Sequence, residues 1–281
     1  MSIGPAELLK LAKPRVIALL DLAALAGYFA AGFREVLPLL FVLVGGSLAS
    51  AGAMMINEAY EAPRDAVMER TSWRPTAKGD LGAKTVYVIG STLIMAGVAV
   101  SYLANALTAI LVAFGALFYV FVYTVLLKPK HWSNIVIGGL AGSAAAWAGY
   151  AASLGSLDAP GFLLGILIFM WTPGHFWSLA LRFKEDYEKA SYPMLPVVFG
   201  ERVTARAIAI SNAAMIPFAL ALGIWFGLIY LLVSAVASAV LMYFSIRLYR
   251  NPTKEEAWRS FKVSSPYLAI LLITIIISRA L

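Results

Sequence analysis

Nine apolar runs of about 20 residues divide the chain, at roughly 16–33, 37–60, 83–104, 106–127, 134–153, 160–181, 205–225, 228–248 and 263–280. A run of that length crosses the hydrocarbon core of a bilayer as one α-helix. Lipid offers no partner to an open strand edge, so a chain built from such runs folds as a helical bundle or not at all. The predicted fold is therefore all-α, a polytopic membrane bundle of nine transmembrane helices in one domain spanning residues 1–281. Only 13% of residues are charged and 61% are hydrophobic. A soluble domain carries about 25% charged residues. No polar stretch is long enough for a separate soluble domain. The split between the seventh and eighth runs rests on one hinge, Gly227.

Charge fixes the orientation. With the N-terminus inside, 20 of the 22 Lys and Arg residues fall on the inner side and only Arg34 and Arg279 fall outside. This is the positive-inside asymmetry, and a wrong helix count would scramble it. The net charge of +7 then belongs to loops facing anionic lipid rather than to a nucleic-acid surface. The opening 1–15 is mixed in polarity and lacks a leader or transit pattern, which points to a prokaryotic plasma membrane. Disulfide and thiol chemistry are excluded, because the chain has no cysteine. Two histidines, His131 and His175, exclude a polyhistidine metal site.

Two inner loops, about 60–83 and 182–204, are long and rich in charge, and long loops carry function. Ahead of the first stand Asn57, Glu61 and Asp65. Their i, i+4, i+8 spacing puts three oxygen donors on one helix face. Pro63 is expected to kink or end that helix, leaving Asp65 in the loop. Any one of these residues alone reads as an ordinary solvated helix end. The trio at a membrane edge suits a hard cation such as Mg²⁺, which takes one or two carboxylates and completes its shell with water and phosphate. Arg70 and Arg74 follow, and arginine forks grip phosphate oxygens. Carboxylates and arginines within twenty residues describe a diphosphate site.

Two further inner segments contribute. Lys128 and Lys130 precede Asn134, and lysine neutralises phosphate as a point charge. Trp171, Pro173, Gly174 and His175 lie within an apolar run. Pro173 and Gly174 are expected to break its helix, and an ionisable group at that depth is a functional candidate. The competing reading of His175 is a hydrogen-bonded core residue among aromatics. Beyond it come Lys184, Glu185, Asp186 and Tyr187, with the two acids candidates for a second metal position. Asp21, inside the first run, should face the bundle interior. The stretch Gly138–Ser153 suits close helix packing first and a cavity wall second. A diphosphate head in this inner crown would send an apolar tail into the bundle.

These residues resemble the UbiA-type intramembrane prenyltransferases, in their haem branch. The matching runs are Lys13-Pro-Arg15, Asn57…Glu61…Asp65 with Arg70-Thr-x-x-Arg74-Pro75, Asn134-Ile-Val-Ile-Gly-Gly139, and Trp171-Thr-Pro-x-His175-Phe-Trp177. Lys184-Glu-Asp186-Tyr187, Pro193-Met-Leu-Pro196 and Trp258–Tyr267 match as well. The likeness runs from about Leu11 to Tyr267. It implies transfer of a farnesyl group from farnesyl diphosphate to a vinyl group of haem b, with addition of water, giving haem O. It implies Mg²⁺ as cofactor, held by Asn57, Glu61, Asp65 and Asp186. Arg70, Arg74, Lys128 and Lys184 would contact phosphate or the haem propionates, with Lys130, Asn134, Trp171 and Tyr187 beside the substrates. His175 would face the haem, as an iron ligand or a positioning group. A haem A synthase or an oxidase assembly partner is the implied neighbour.

This sequence departs from the pattern at Glu61, where Asp is commoner, and at Gly174, which replaces a second proline and should loosen the backbone. The second acidic cluster lacks an Asp-x-x-x-Asp pair. Two alternatives remain at this level. One is a prenyltransferase acting on an aromatic or quinone precursor. The other is a small transporter, which would show two-sided access and inverted repeats.

Overall fold

The computed structural model describes residues 11–280; Lys10, counted above among the inner cations, lies outside them. Every regular element among the described residues is helical. They are α1 (Pro14–Ala30), α2 (Val36–Asp65), the one-turn α3 (Pro75–Lys78), α4 (Ala83–Tyr102), α5 (Ala106–Leu117, running on as a π-helix over Phe118–Leu127), α6 (Asn134–Leu154), α7 (Ala159–Arg182), the short α8 (Lys184–Lys189), α9 (Leu195–Ala221), α10 (Gly223–Arg250) and α11 (Lys254–Ala280). Eight of these segments are long and apolar enough to cross a membrane. With 17 residues, α1 spans about 26 Å by helical rise and makes the ninth. The nine expected spans are all present.

Small residues set which helices touch. A Cβ on Gly149 of α6 would collide with the Ala24 carbonyl of α1, and one on Gly27 with the Ala146 carbonyl. The pair α2 and α4 meets the same way, Gly45 and Gly52 against Gly97 and Gly90. Without a hydrophobic drive between helices in lipid, such close backbone approach supplies the packing. α1 packs against α2, α6 and α11. The Gly138–Ser153 stretch serves both expected purposes. Gly149, Ala146 and Ala151 are buried in the core, while Gly138, Gly139, Gly142 and Ala145 wall a cavity.

Four expectations need correction. The second helix is not cut at Pro63; it continues to Asp65. That proline removes one ladder bond in a final turn where the ladder is ending anyway. The sixth span is not broken at Pro173 and Gly174 but is one helix through both. Gly174 serves packing instead, since a Cβ there would strike Asn212 Oδ1 of α9. The last helix starts at Lys254, well before 263. Glu255 and Glu256 favour its N-terminus, and Glu256 is gripped by Arg247 at 2.7 Å and Arg259 at 2.6 Å. The seventh span starts at Leu195, not 205, with a break at Gly200 (φ 79°). The expected hinge at Gly227 is real: φ is 82° there, and it separates a first turn at 223–226 from the rest of α10.

Candidate active site

A cavity of about 530 Å³ opens between α1, α2, α5, α6, α7 and α11. Its charged mouth holds Lys13, Glu61, Asp65, Arg70, Arg74 and Lys128, and its apolar depth runs to Val112, Ala148 and Leu272.

The mouth is a set of interlocked ion pairs. The first 30-residue element to reach it, α2, is about 45 Å long, so its acidic end projects past the hydrocarbon core. Asn57, Glu58, Glu61 and Asp65 on that end are all nearly inaccessible, at 2–3% exposure, and each has a partner. Arg74 Nη1 lies 2.6 Å from Asp65 Oδ2 and its Nε 3.5 Å from Glu58. Lys128 Nζ lies 2.5 Å from Glu61. Lys13 donates to Asn57 Oδ1 at 3.2 Å and lies 3.4 Å from Glu58. Asn57 Nδ2 donates to Thr124 Oγ1.

Local sequence builds this arrangement. After α2 the chain folds back because Thr71 Oγ1 donates to the Asp65 carbonyl and Trp73 Nε1 to the Arg70 carbonyl. Pro75 then starts α3 at its first turn, where a missing N–H goes unnoticed. Arg74 is thereby turned toward Asp65. The π-helix brings Tyr119, Tyr123 and Thr124 to the wall: Thr124 Oγ1 donates to the Tyr119 carbonyl, the two tyrosine rings stack at 5.3 Å, and the Lys128 N–H reaches the Tyr123 carbonyl five residues back. π-helices are rare and gather at functional sites. Lys13 itself sits at φ 52°, a left-handed conformation that lysine adopts at a cost of about 1–3 kcal/mol and that must be held by its surroundings.

The electrostatics follow from crowding. Burial, and then Arg74, pulls Lys13 down to about 8, against the raising effect of Glu58. For Lys128, burial lowers the value, but Glu61 more than reverses it and leaves the ammonium firmly charged. Its ammonium also lies 5.0 Å from the Tyr192 ring centroid and 5.6 Å from that of Tyr123.

Arg70 is held differently. Its guanidinium lies over Phe183 and Tyr187, with Nη2 donating to the Tyr187 hydroxyl at 3.4 Å. Its Nε is buried without a hydrogen-bond partner among the described residues. An orphaned guanidinium nitrogen beside a cavity fits an anion. Asn57, Glu61 and Asp65 offer hard oxygens on the same wall, so the donor set fits a divalent cation together with a phosphate.

Asn57, Glu61, Asp65, Arg70, Arg74, Lys128, Trp171, His175 and Tyr187 all line this one cavity. The other expected site residues do not. Asp186 accepts the backbone N–H groups of Glu69 and Arg70 at 3.2 and 3.1 Å, one on each oxygen, and so holds the arginine loop. Its neighbour Glu185 pairs with Lys254. Lys184 pairs with Glu201 at 3.6 Å, away from the wall. Lys130 is exposed. Asn134 is buried and donates to the His131 carbonyl, which fixes the start of α6. No cluster of three His, Asp or Glu side chains is preformed for a metal among the described residues.

Sequence reasoning missed Glu58, whose position beside Asn57 falls off the i, i+4 pattern, and Tyr119, hidden in an apolar run. Lys13 was visible only as part of the Lys-Pro-Arg run. Asp21 does line the cavity, bonded through both oxygens by Ser47 Oγ at 2.9 Å.

Deeper in, the His175 ring lies between Trp171 and Phe261, at centroid distances of 4.2 and 4.4 Å.

Residues 21–271 match the model of the UbiA prenyltransferase family. The chain is 59% identical to a protoheme IX farnesyltransferase of Sulfurisphaera tokodaii, over 96% of this chain and 92% of that one. It is 60% identical to one of Metallosphaera sedula, over 96% and 95%. Among solved structures, one of digeranylgeranylglyceryl phosphate synthase superposes with a TM-score of 0.80 at 18% identity, covering 98% of both chains. A UbiA homologue from Archaeoglobus fulgidus, bound to GPP and Mg²⁺, gives 0.69 at 15% identity, over 96% and 99%. At those identities the structures speak for the fold, and the sequence matches speak for the lineage. The chain belongs to the UbiA prenyltransferase family, in its protoheme IX farnesyltransferase branch.

Proposed function

We propose that this protein transfers the farnesyl group of farnesyl diphosphate to a vinyl group of haem b, with addition of water, to give haem O. The observation that carries the reading is the single cavity in which paired cations and carboxylates crown an apolar depth. An amphiphile with a diphosphate head and a prenyl tail has that same polarity.

Asn57, Glu61 and Asp65 would hold Mg²⁺, which when bound neutralises negative charge on the departing diphosphate. Arg70, Arg74, Lys128 and Lys13 bind the phosphate oxygens. Without the ligand these cations and carboxylates neutralise each other. With it, the cations turn to phosphate, so the site is organised in advance of the charge that develops. Tyr119 and Tyr123 line the same cavity wall, and their electron-rich rings would ease transient positive charge on an allylic carbon bound there. The apolar walls keep bulk water from that cation. Trp171, His175 and Tyr187 border the haem, and Asp186 acts by holding the Arg70 loop.

The Lys and Arg asymmetry supports a mouth that faces the cytoplasm, in a prokaryotic plasma membrane. A haem A synthase or oxidase assembly partner would take the product from the bilayer.

The test is turnover of haem b and farnesyl diphosphate by purified protein in detergent with Mg²⁺, read by mass spectrometry. A haem heavier by one farnesyl and one water is the expected product. Prenylation of a quinone-type aromatic, with haem untouched, would keep the diphosphate site and overturn the acceptor.

A further inference from the structure

Asp21 takes no part in binding the diphosphate, yet it is a carboxylate inside a membrane span. An ionisable side chain there is costly and marks function by default. Asp21 lines the cavity, where the only other carboxylates among the described lining residues are Glu61 and Asp65 at the mouth. Its side-chain partner is Ser47 of α2, whose Oγ lies 2.9 Å from both carboxylate oxygens. A hydroxyl supplies one proton, whereas an ionised carboxylate has about four acceptor sites. Most of its capacity is unused.

Contacts between α1 and α2 fix how deep Asp21 lies. The two helices run antiparallel: Lys13 meets Asn57 and Glu58, and Asp21 meets Ser47. From Lys13 to Asp21 is about 12 Å along α1, and from Asn57 to Ser47 about 15 Å along α2. Asp21 is one such step inward from the charged mouth. Ser50, about one turn along α2 from Ser47, lines the cavity as well. The lining residues around them, Leu20, Ala24, Val42 and Gly46, offer no side-chain donor or acceptor. Asp21 and Ser50 are thus a polar notch in an apolar wall, and a water held in such a wall needs polar partners of that kind.

The transfer reaction has a step that needs a held water. As the C1–O bond of the prenyl diphosphate breaks, its electron pair leaves with diphosphate, and the vinyl π pair forms the bond to C1. The positive charge passes to the vinyl carbon next to the porphyrin. A water oxygen then bonds to that carbon, and one of its protons must go to a base. Four contacts of about 3 Å each, from phosphate to C1, to the vinyl group, to water and to the base, span the interval between the mouth and Asp21.

We infer that Asp21 is the base of the hydration step. With Ser50 it holds the water, and its carboxylate takes the proton as the C–O bond forms. Ser47 is the residue that positions it. The proton returns to solvent when product leaves and water refills the cavity. The inference rests on the farnesyl-transfer reading for the reaction.

The experiment supplies haem b, farnesyl diphosphate and Mg²⁺ to the full-length protein in detergent, in isotopically labelled water, with products read by mass spectrometry. The unaltered protein should give haem carrying a farnesyl group and a labelled hydroxyl. Asp21→Asn keeps the shape and an acceptor for Ser47. It should still release diphosphate, but the cation then loses a proton from the adjacent carbon to the departing diphosphate, and the product is an alkene one water lighter. The ratio of hydrated to dehydrated product should fall about a hundredfold, the lower part of the range for a positioned proton acceptor. Ser47→Ala should move the ratio the same way by a smaller factor. A group that serves packing alone would change the amount of product and leave the ratio alone. Binding of a non-hydrolysable prenyl diphosphate analogue reports folding; if Asp21→Asn fails to bind it, Ser47→Ala carries the test, and an unchanged ratio there overturns the inference. An unchanged ratio in a folded Asp21→Asn, a folded Asp21→Asn that releases no diphosphate, or a ratio that shifts in His175→Ala instead, overturns the base assignment and keeps the transfer reading. No farnesylated haem from the unaltered protein removes the transfer reading, and the base assignment with it.

Discussion

Arg74 Nη1 stands 2.6 Å from Asp65 Oδ2 across a nine-residue fold of the chain, with both side chains largely withdrawn from water. The same arginine reaches Glu58. A pair this buried is a poor source of stability for its own sake. On the proposed reading, its use is to hold a cation and an anion where a phosphate and a metal can separate them. Asp65→Asn should therefore leave the bundle folded and lower turnover by about two orders of magnitude or more. The amide keeps a hydrogen-bond acceptor for Arg74, so the thermal midpoint should fall by only a few degrees. Normal turnover in this variant would remove Asp65 from the metal site.

Lys13 makes the site sensitive to mild alkali. Its ammonium faces Glu58 and Asn57; burial first, then the neighbouring cations Arg74 and Lys128, outweigh the raising effect of Glu58 and Glu61 and leave it at about 8 against the ordinary 10.5. The folded value is the lower one, so between about 8 and 10.5 the unfolded chain holds the proton and the folded chain releases it. Stability from this group therefore rises with pH across that window, and its burial penalty is fully present below 8. Binding moves the other way. A diphosphate favours the charged ammonium, so KM for the prenyl diphosphate should climb above pH 8, by up to about tenfold per pH unit. Lys13→Arg stays charged and should flatten that rise. A KM that does not change between pH 7 and 9 in the unaltered protein would contradict this.

How much the sequence discloses depends on which forces decide each feature. Nine spans are legible because lipid allows few choices: apolar length sets the helix. The Asn57, Glu61, Asp65 face is legible from period alone. Glu58 is not, because it becomes a site residue only when Lys13 and Arg74 arrive from elsewhere in the chain. Asp186 is half legible for the same reason. Its acidity reads in the sequence, but its hold on the backbone N–H groups of Glu69 and Arg70 depends on a loop from elsewhere in the chain. The π-turns through Tyr119 and Tyr123 have no local signature, since any apolar run reads as an α-helix.

Gly174 shows a packing constraint that reads in sequence as a helix breaker. The helix runs straight through it, and a side chain there would meet Asn212 Oδ1, while Asn212 Nδ2 is held by Ser245. Gly174→Ala improves helix propensity by about 1 kcal/mol but overpacks the α7–α9 contact by about 1–3 kcal/mol. Net destabilisation is expected in thermal unfolding. Asn212→Ala in the same chain should recover most of it, because the two sites couple through one contact. If Gly174→Ala alone raised the melting temperature, backbone flexibility rather than the α9 contact would explain the glycine.

Asp186 offers a separation between holding a metal and holding a loop. Its carboxylate ties residues 69 and 70 to α8, and Arg70 leans on Tyr187 from the same helix. Asp186→Ala should free the loop, so that Arg70 spends less time over the cavity mouth. KM for the prenyl diphosphate should rise about tenfold, the scale on which a lost charge-assisted bond weakens binding. The Mg²⁺ concentration giving half-maximal rate should stay within about twofold of the unaltered protein. A metal ligand would behave in the opposite way, with the Mg²⁺ requirement rising steeply and excess metal restoring the rate. Asp65→Asn measured alongside supplies that second pattern. If Asp186→Ala follows it, the carboxylate leaves the loop during turnover and joins the metal.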